Sequence, residues 1–356
     1  MLSCYNHGMD KIFTVPLKGR STEVWSAASD GDLKARLDSY GKNVLYVFDD
    51  NTAPVYGGSL PENSLVLPHG ENWKNWDSVD RILTKAFELG LARDSLFIGF
   101  GGGVILDMTA FAASVFMRGA SAVLVPTTLL AMVDATLGGK TGIDYQGGKN
   151  AVGTFFPAQD VLIDSRTLSS LPDKEWRCGL GEVVKHAFLS EDRRLHSFLA
   201  DNRRCILSRY EEAVSEMIRL SLEVKIWYIT RDPEEKLGIR SSLNLGHTFG
   251  HAWESMSGFS VSHGEGVAWG TARALELGME LGVTDKDWGR DALDLLESFP
   301  FSLSGRISPD SFPSFLKAVS KDKKKKGGAV RFILMEGQGR PVLRVLSDEE
   351  IRRTVV

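Results

Sequence analysis

Short apolar runs alternate with longer helical segments through the first half of the chain, and this alternation constrains the fold more than any other feature. The apolar runs, each typical of a buried strand, cover residues 43–51, 64–68, 95–100, 122–126 and 160–164. Between two of these runs, residues 77–92 have apolar side chains at helical spacing, with Gly90 as a stop signal. Buried-type strands separated by about a dozen helical residues are typical of a parallel sheet covered on both faces. The first half is therefore predicted to be an α/β domain.

The pattern changes near residue 172, where helical spacing replaces the alternation. From residue 174 to about residue 315 the apolar positions recur at helical spacing, with breaks at 231–238 and 257–264. Residues 329–335 and 341–346 are predicted to form a hairpin, and Ser347 and Glu350 a capping box on a final helix. Because 356 residues exceed what one core usually supports, we expect two domains, 1–172 and 173–356. The second domain is predicted to be helical.

The composition is that of an ordinary globular protein and argues against several classes. The formal net charge of −4 argues against a nucleic-acid partner. No apolar run reaches about 18 residues, so no membrane span is expected. The N-terminus lacks a signal-peptide pattern, and the three cysteines are too few and too widely spaced for a disulfide framework. A cytoplasmic protein is predicted.

Three histidines in residues 240–267 suggest a metal site. His247 and His251 are four residues apart and would share one face of a helix, and His263 follows a break rich in glycine and serine. Imidazoles that converge from two helices suit a divalent transition metal such as zinc. Glu182 and Lys185, three apart in an apolar turn, could add a carboxylate to this set. The alternatives are ordinary helix histidines and an exposed Glu–Lys pair.

Polar residues continue around these histidines and further along the chain. Arg240 and Asn244, with His247 and His251, would form one polar stripe on a single helix, bordered by apolar residues. Such a stripe is more typical of a site than of a surface. The basic run 321–328 is predicted to be a solvated loop, one of whose lysines could contact a phosphate.

The glycines at 101–103 are a candidate phosphate site. They follow an apolar strand and precede a helical segment that carries Asp107. In this arrangement, backbone N–H groups and a helix N-terminus can receive a phosphate. The alternative is a tight turn between strand and helix.

A second glycine-rich segment covers residues 138–150 and contains Lys140, Lys149 and Asn150, with Asp134 shortly before it. Lysines among glycines suit an anionic ligand, because the backbone can approach closely and lysine supplies a compact charge. The alternative is a solvated loop. The apolar residues on both sides favour the ligand.

The chain resembles the 3-dehydroquinate synthases, which are sugar-phosphate cyclases of the shikimate pathway. The resemblance covers about residues 43–335 and depends on GGGVILD, MRG, VPTTLLAMVDATLGGKTGID, GKN, GEVVKHA, LNLGHTFGHA, HGEGVA and KDKKKKGGAVRF. It implies an N-terminal Rossmann-like domain that binds NAD, a C-terminal helical domain that binds zinc or cobalt, and a homodimer.

The resemblance also implies roles for individual residues. The metal ligands would be Glu182, His247 and His263, with His251 as a hydrogen-bonding or proton-relay group beside the metal. NAD would contact Asp49, Asn51, Glu71, Lys74, Gly102, Gly103, Asp107, Thr127, Thr128, Lys140 and Lys149. The substrate and catalytic set would be Asp134, Lys140, Lys149, Asn150, Lys185, Lys225, Arg240, Asn244 and His251. Arg118 and a lysine of 321–326, assigned here as Lys324, would contact phosphate, and Arg118 would reach the partner's site.

The implied reaction converts 3-deoxy-D-arabino-heptulosonate 7-phosphate into 3-dehydroquinate and phosphate. The sequence departs from the family at Leu106, where the family usually has glycine immediately before the aspartate of its glycine-rich motif. The alternatives are a metal-dependent polyol dehydrogenase, another sugar-phosphate cyclase and a non-catalytic NAD-binding protein. A dehydrogenase acts on substrates without phosphate, so it has less need of the many basic residues.

Overall fold

The computed structural model describes residues 8–17, 19–56, 60–258, 260–326 and 330–356, without the side chains of 55–56 and 321–326. The chain divides into two compact units, Met1–Leu171 and Pro172–Val356. No helix of the described chain is long and apolar enough to cross a lipid bilayer.

The first unit is built on a seven-stranded sheet. Its strands are β1 (Asp10–Leu17), β2 (Arg20–Ser26), β3 (Val44–Asp49), β4 (Ser64–Leu67), β5 (Leu96–Gly101), β6 (Ser121–Pro126) and β9 (Asp160–Ile163). Their order across the sheet is β1-β2-β9-β6-β5-β3-β4. All neighbouring strands are parallel except β1 and β2, which pair antiparallel. The predicted parallel sheet is therefore confirmed. The β1–β2 hairpin at its edge was not predicted.

The helices of this unit are α1 (Asp32–Asp38), α2 (Ala53–Tyr56), α3 (Trp76–Glu88) and α4 (Gly103–Val115). Asn75 caps α3 by accepting a hydrogen bond from the Ser78 amide, and Gly90 follows its end with a φ of 66°. Most of α4 is buried, because it packs against β5 and β6 as well as against α3 and a separate hairpin. A helix that is buried on all sides is expected to have apolar residues all round, as α4 does.

That separate hairpin consists of β7 (Lys140–Tyr145) and β8 (Gly148–Phe155), outside the main sheet. Its turn has Gln146 at φ 50° and Gly147 at φ 75°, which suits a tight two-residue hairpin turn. Most of the glycine-rich segment is thus a hairpin and not a loop, although most of β8 is exposed to solvent. The anionic ligand stays a prediction. At Gly153 a Cβ would lie 2.0 Å from the Thr141 carbonyl oxygen, so the two strands require glycine there.

The second unit is mainly helical, as predicted. Its helices are α5 (Asp173–Leu189), α6 (Arg194–Leu207), α7 (Glu211–Arg231), α8 (His247–Met256), α9 (His263–Glu280), α10 (Lys286–Glu297), α11 (Phe312–Lys326) and α12 (Asp348–Val355). The predicted hairpin is confirmed as β10 (Arg331–Gly337) and β11 (Arg340–Val345). The capping box of Ser347 and Glu350 is present at the start of α12.

Two predictions for this unit are wrong. The basic run is not a loop from residue 321, because α11 continues to Lys326. The polar stripe does not lie on one helix. A 3-10 turn at Arg240–Asn244 ends before Gly246, whose φ of 77° breaks the chain away from a helix, and α8 begins only at His247.

Candidate active site

Glycine contacts bring the three helices that carry the predicted metal ligands close together. A Cβ on Gly264 would lie 1.7 Å from the carbonyl oxygen of Cys178, so α9 and α5 touch through their backbones. A Cβ on Gly250 would lie 2.5 Å from the carbonyl oxygen of Gly266, so α8 and α9 also touch. Any larger residue would separate these helices. The glycines beside the ligands therefore let side chains on three helices converge.

Glu182 on α5 faces two imidazoles. Its Oε1 lies 3.5 Å from Nε2 of His247 and 3.3 Å from Nε2 of His263. The side chain of Glu182 is fully buried, and its Oε1 has no hydrogen-bond partner within the described structure. At metal–ligand bonds of about 2.0–2.1 Å and tetrahedral angles, neighbouring ligand atoms lie about 3.3–3.4 Å apart. The donor set therefore fits a tetrahedral divalent ion such as zinc.

The charges of these groups also suit a cation. Burial would raise the pKa of Glu182, but Lys185 and the two histidines hold it well below its usual range. Burial holds the pKa of His247 well below its usual range. The ring of His247 is therefore neutral, and Nδ1 can donate to the Leu245 carbonyl 3.1 Å away, which leaves the Nε2 lone pair towards Glu182. Burial opposes a charge on His263, but the carboxylates of Glu182 and Glu254 raise its pKa to about 10. A metal ion bound at Nε2 would take the place of the proton that these carboxylates favour there.

Two further residues border this cluster. Lys185, one turn after Glu182 on α5, forms a buried ion pair with Oε2 of Glu182. His251 is exposed, and its ring centroid lies 5.2 Å from that of His247 and 5.6 Å from that of His263. One nitrogen of each of the three histidines lies within 4.8 Å of the others. His251 is thus adjacent to the ligand set, and the ligand and relay roles stay predictions.

The other predicted substrate residues of the second unit lie on different elements. Lys225 is buried on α7. Arg240 is also buried, and its guanidinium donates to the Pro233 carbonyl at 2.5 Å. Asn244 ends the 3-10 turn and is partly exposed. Lys324 lies on α11, and its side chain is outside the described residues.

In the first unit, Lys74 connects two predicted site residues. Its Nζ lies 2.6 Å from Oδ2 of Asp107 and 2.6 Å from Oδ1 of Asn150. Burial raises the pKa of Asp107 to about 6, against the attraction of Lys74. Lys149 lies 4.0 Å from the carboxylate of Glu71. Lys74, Asp107 and Asn150 therefore form one hydrogen-bonded group, and Lys149 and Glu71 form a separate ion pair.

The glycine motif also has the predicted geometry. β5 ends at Gly101, and α4 begins at Gly103 with no side chain capping its N-terminus in the described structure. Leu106, the departure from the family, is buried, and its side chain packs towards Gly99 on β5. It therefore faces the sheet.

The remaining predicted residues of this unit lie near strand ends. Oδ1 of Asp49 accepts hydrogen bonds from the amides of Asn51 and Thr52 after β3. The amide of Thr127 donates to the Gly101 carbonyl after β6, and Oγ1 of Thr128 accepts from the Ala131 amide. The carboxyl ends of parallel strands are where such folds bind ligands.

The last three predicted residues of this unit lie outside the strands of the main sheet. Asp134 lies in a single π-helical turn, Ala131–Ala135. Lys140 begins β7 and is exposed. Arg118 is exposed after the end of α4, with a φ of 68°.

Sequence reasoning missed Glu254, which is buried on α8 with its Oε1 3.2 Å from Nδ1 of His263. It follows His247 by seven residues and His251 by three, so helical spacing places it beside them. That spacing was the available signal.

Solved structures share this architecture. The chain matches 2-epi-5-epi-valiolone synthase from Streptomyces hygroscopicus, solved with NAD+ and Zn2+ bound, with a TM-score of 0.83 and 24% identity over 95% of this chain and 97% of that one. It matches a probable glycerol dehydrogenase from Sinorhizobium meliloti with a TM-score of 0.61 and 18% identity, covering 93% and 94%. The fold is therefore one shared by cyclases and dehydrogenases.

Sequence comparisons define the family within that class. The N-terminal and C-terminal family models of 3-dehydroquinate synthase match residues 64–178 and 179–325. A 3-dehydroquinate synthase of Acidithiobacillus ferrooxidans is 39% identical over 310 residues, 84% of each chain. One of Shewanella sp. is 36% identical over 344 residues, 93% of this chain and 95% of that protein. The chain belongs to the 3-dehydroquinate synthase family, which confirms the resemblance.

Proposed function

We propose that this protein is a 3-dehydroquinate synthase that uses NAD and a divalent metal, zinc or cobalt. Its substrate is 3-deoxy-D-arabino-heptulosonate 7-phosphate, and its products are 3-dehydroquinate and phosphate. The observation that carries the proposal is the convergence of Glu182, His247 and His263 in a chain that matches the family through both units. In this proposal residues 1–172 bind NAD, and residues 173–356 bind the metal and most of the substrate.

Glu182, His247 and His263 would hold the metal, which, when bound, acts as a Lewis acid on a substrate oxygen. Lys185 keeps Glu182 ionised, because its ammonium group lies against the other carboxylate oxygen. Neutral His247 offers its Nε2 lone pair without first losing a proton. Beside these ligands, His251 is exposed and can exchange a proton between substrate and water through its ring nitrogens.

NAD, when bound, would supply reversible hydride transfer, and because the hydride returns to the sugar the reaction has no net oxidation. Its pyrophosphate would lie on Gly102 and Gly103 at the N-terminus of α4. Lys74 forms an ion pair with Asp107, which lies about one turn into this helix. The other NAD contacts in the proposal are Asp49, Asn51, Glu71, Thr127, Thr128, Lys140 and Lys149.

The substrate is a dianion or trianion, and basic residues orient it. Lys140, Lys149, Lys225 and Arg240 offset its carboxylate and phosphate charges. Asn150 and Asn244 supply neutral hydrogen bonds, Asp134 completes the catalytic set, and Arg118 and Lys324 contact the phosphate. Positioning matters because phosphate leaves by elimination and the opened chain must then close on itself in an aldol step.

A homodimer is part of the proposal, and the surface of the first unit supports it. Phe87 on α3, Met117 after α4 and Phe155 on β8 are 62%, 40% and 55% exposed. α4 packs against both α3 and the β7–β8 hairpin, so these apolar side chains lie on neighbouring elements. Arg118 follows Met117 and would reach the partner's site. A cytoplasmic location, expected from the cysteine usage, belongs to the same proposal.

The test separates the cyclase from a polyol dehydrogenase. With excess heptulosonate phosphate and trace NAD, the purified protein should release phosphate far beyond the NAD supplied, without a lasting rise in NADH absorbance. Chelation should stop this release, and zinc or cobalt should restore it. Arg240→Ala should suppress it, because the variant loses charge complementary to the substrate. Phosphate release capped at the amount of NAD, or steady NADH formation with glycerol, would instead identify a dehydrogenase.

A further inference from the structure

The two histidines that face Glu182 have different hydrogen-bond partners at their second nitrogens. Nδ1 of His247 lies 3.1 Å from a neutral backbone carbonyl, that of Leu245. Nδ1 of His263 lies 3.2 Å from Oε1 of Glu254, a buried carboxylate on the neighbouring helix. Both rings turn Nε2 towards Glu182. The ring of His263 therefore has a carboxylate at its second nitrogen, and the ring of His247 has a neutral carbonyl.

The helices make specific room for this carboxylate. A Cβ on Gly266 would lie 2.7 Å from Oε1 of Glu254 and 3.0 Å from its Cγ, so a larger residue at position 266 would displace the Glu254 side chain. The backbone contact between Gly250 and Gly266 brings α8 close enough to α9 for Glu254 to reach His263. Gly250 and Gly266 together thus allow the hydrogen bond between Glu254 and His263.

The contacts of Glu254 indicate what the carboxylate does. Among the described contacts, its one side-chain hydrogen bond is the bond with His263. The other carboxylate near the start of α9, Glu265, instead forms the helix capping box with Ser262 and an ion pair with Arg177. Helix capping is thus assigned to Glu265, and Glu254 is available to act on the imidazole.

We propose that Glu254 is a positioning residue for His263. By accepting the Nδ1 hydrogen bond, its carboxylate fixes the ring orientation and the tautomer that leaves the Nε2 lone pair free. Its negative charge makes that nitrogen a stronger metal ligand. Outer-shell carboxylates of this kind typically contribute roughly 10–100-fold to metal affinity. The inference rests on the proposed metal site of Glu182, His247 and His263.

The experiment measures zinc affinity by competition with a chelator at one fixed pH. Glu254→Ala should weaken zinc binding by roughly 100-fold, and Glu254→Gln by roughly 10-fold, because glutamine keeps an acceptor without the charge. Glu265→Gln removes a carboxylate charge from α9, the helix that carries His263, without removing a contact of the His263 ring. Its zinc affinity should match that of the wild type. With cobalt, the visible spectrum should change in both Glu254 variants and stay unchanged in Glu265→Gln.

The outcomes distinguish this inference from the proposed function. If the wild type binds no zinc, the metal site and the role of Glu254 both fail. A second outcome is that the wild type binds one zinc per chain while Glu254→Gln and Glu254→Ala bind zinc as tightly as the wild type does. In that case only the role of Glu254 fails. A metal-free Glu254→Gln protein that melts far below the wild type would assign the carboxylate to folding and would also overturn the inference. An unchanged melting temperature with weaker zinc binding supports it.

Discussion

Among single residues of the proposed metal site, Glu182 is the charged group that most needs opposite charge around it. Its carboxylate is fully buried, with one oxygen paired to the buried ammonium group of Lys185 and the other facing two imidazoles. A buried carboxylate without an opposite charge is costly, so Lys185 has a role in the metal-free fold as well as the proposed one towards substrate. A bound metal ion and Lys185 would together compensate the negative charge of Glu182.

Replacing Lys185 with methionine should therefore destabilise the metal-free protein. The change keeps most of the side-chain volume and removes the ammonium group at Oε2 of Glu182. Removing one partner of a buried ion pair typically costs about 3–5 kcal/mol. Urea unfolding of the metal-free protein would measure the loss. Added zinc should recover part of it, because the ion supplies positive charge at the other oxygen.

The control for this prediction is an exposed pair. Lys34 and Asp38 are four residues apart on α1, with side chains 78% and 65% exposed. Lys34→Met should leave the free energy of unfolding nearly unchanged, because water screens such a pair. Equal stability of Lys185→Met and wild type would contradict the burial argument.

The sequence indicated most of the residues near the proposed metal site, but not their arrangement. His247 and His263 were predicted on two helices, and that placement is confirmed. Spacing alone could not decide whether His251 or Glu182 joins them, since that depends on how α5 crosses α9. Glu254 was missed for a related reason, because its contact depends on the glycine-mediated approach of α8 to α9.

At the scale of elements, the sequence predicted the features that depend on neighbouring residues alone. It did not predict the features at which two sequence patterns conflict. The buried strands and the final capping box agree with the structure because apolar runs and cap residues act locally. The β7–β8 hairpin was missed because its glycines, which the strands require for close approach, resemble loop residues in the sequence. The break at Gly246 was missed because the polar residues from Arg240 to His251 keep helical spacings of four, three and four across it.

The N-terminus of α4 gives a prediction at this scale. A Cβ on Gly103 would meet only the Cβ of Ala135, at 3.5 Å, which is an ordinary contact. Gly103→Val should therefore fold normally, while its branched side chain fills the space in which the pyrophosphate would contact the backbone amides. Calorimetric titration with NAD should show binding weakened by at least about tenfold, since a charge-assisted phosphate contact is lost.

Zinc binding provides the internal control for this variant, because the proposed ligands all lie in the second unit. Zinc affinity and melting temperature should equal those of the wild type. Unchanged NAD affinity would show that the pyrophosphate does not lie on Gly103.

At the scale of the whole molecule, a phosphate contact such as Arg118 could come from either subunit of the proposed homodimer. Arg118 is exposed, and both Met117 and Arg118 have positive φ values, 46° and 68°. Such a conformation is costly for residues other than glycine, so it is expected where surrounding structure or function requires it. The apolar side chains nearby favour a partner subunit at this surface. Arg118 would then serve the site of the other copy.

Mixing two inactive variants tests whether Arg118 acts across the dimer. Arg118→Ala and Lys140→Ala should each lose most phosphate release as homodimers. After co-expression in equal amounts, half of the dimers are mixed, and in each mixed dimer one of two sites has both residues intact. If Arg118 serves the partner's site, about one quarter of wild-type activity should return, as the two-fold symmetry of a homodimer requires. If Arg118 serves its own site, every site in the mixture lacks one residue and no activity should return. Light scattering of the mixture, which should give twice the mass of one chain, checks that dimers are present.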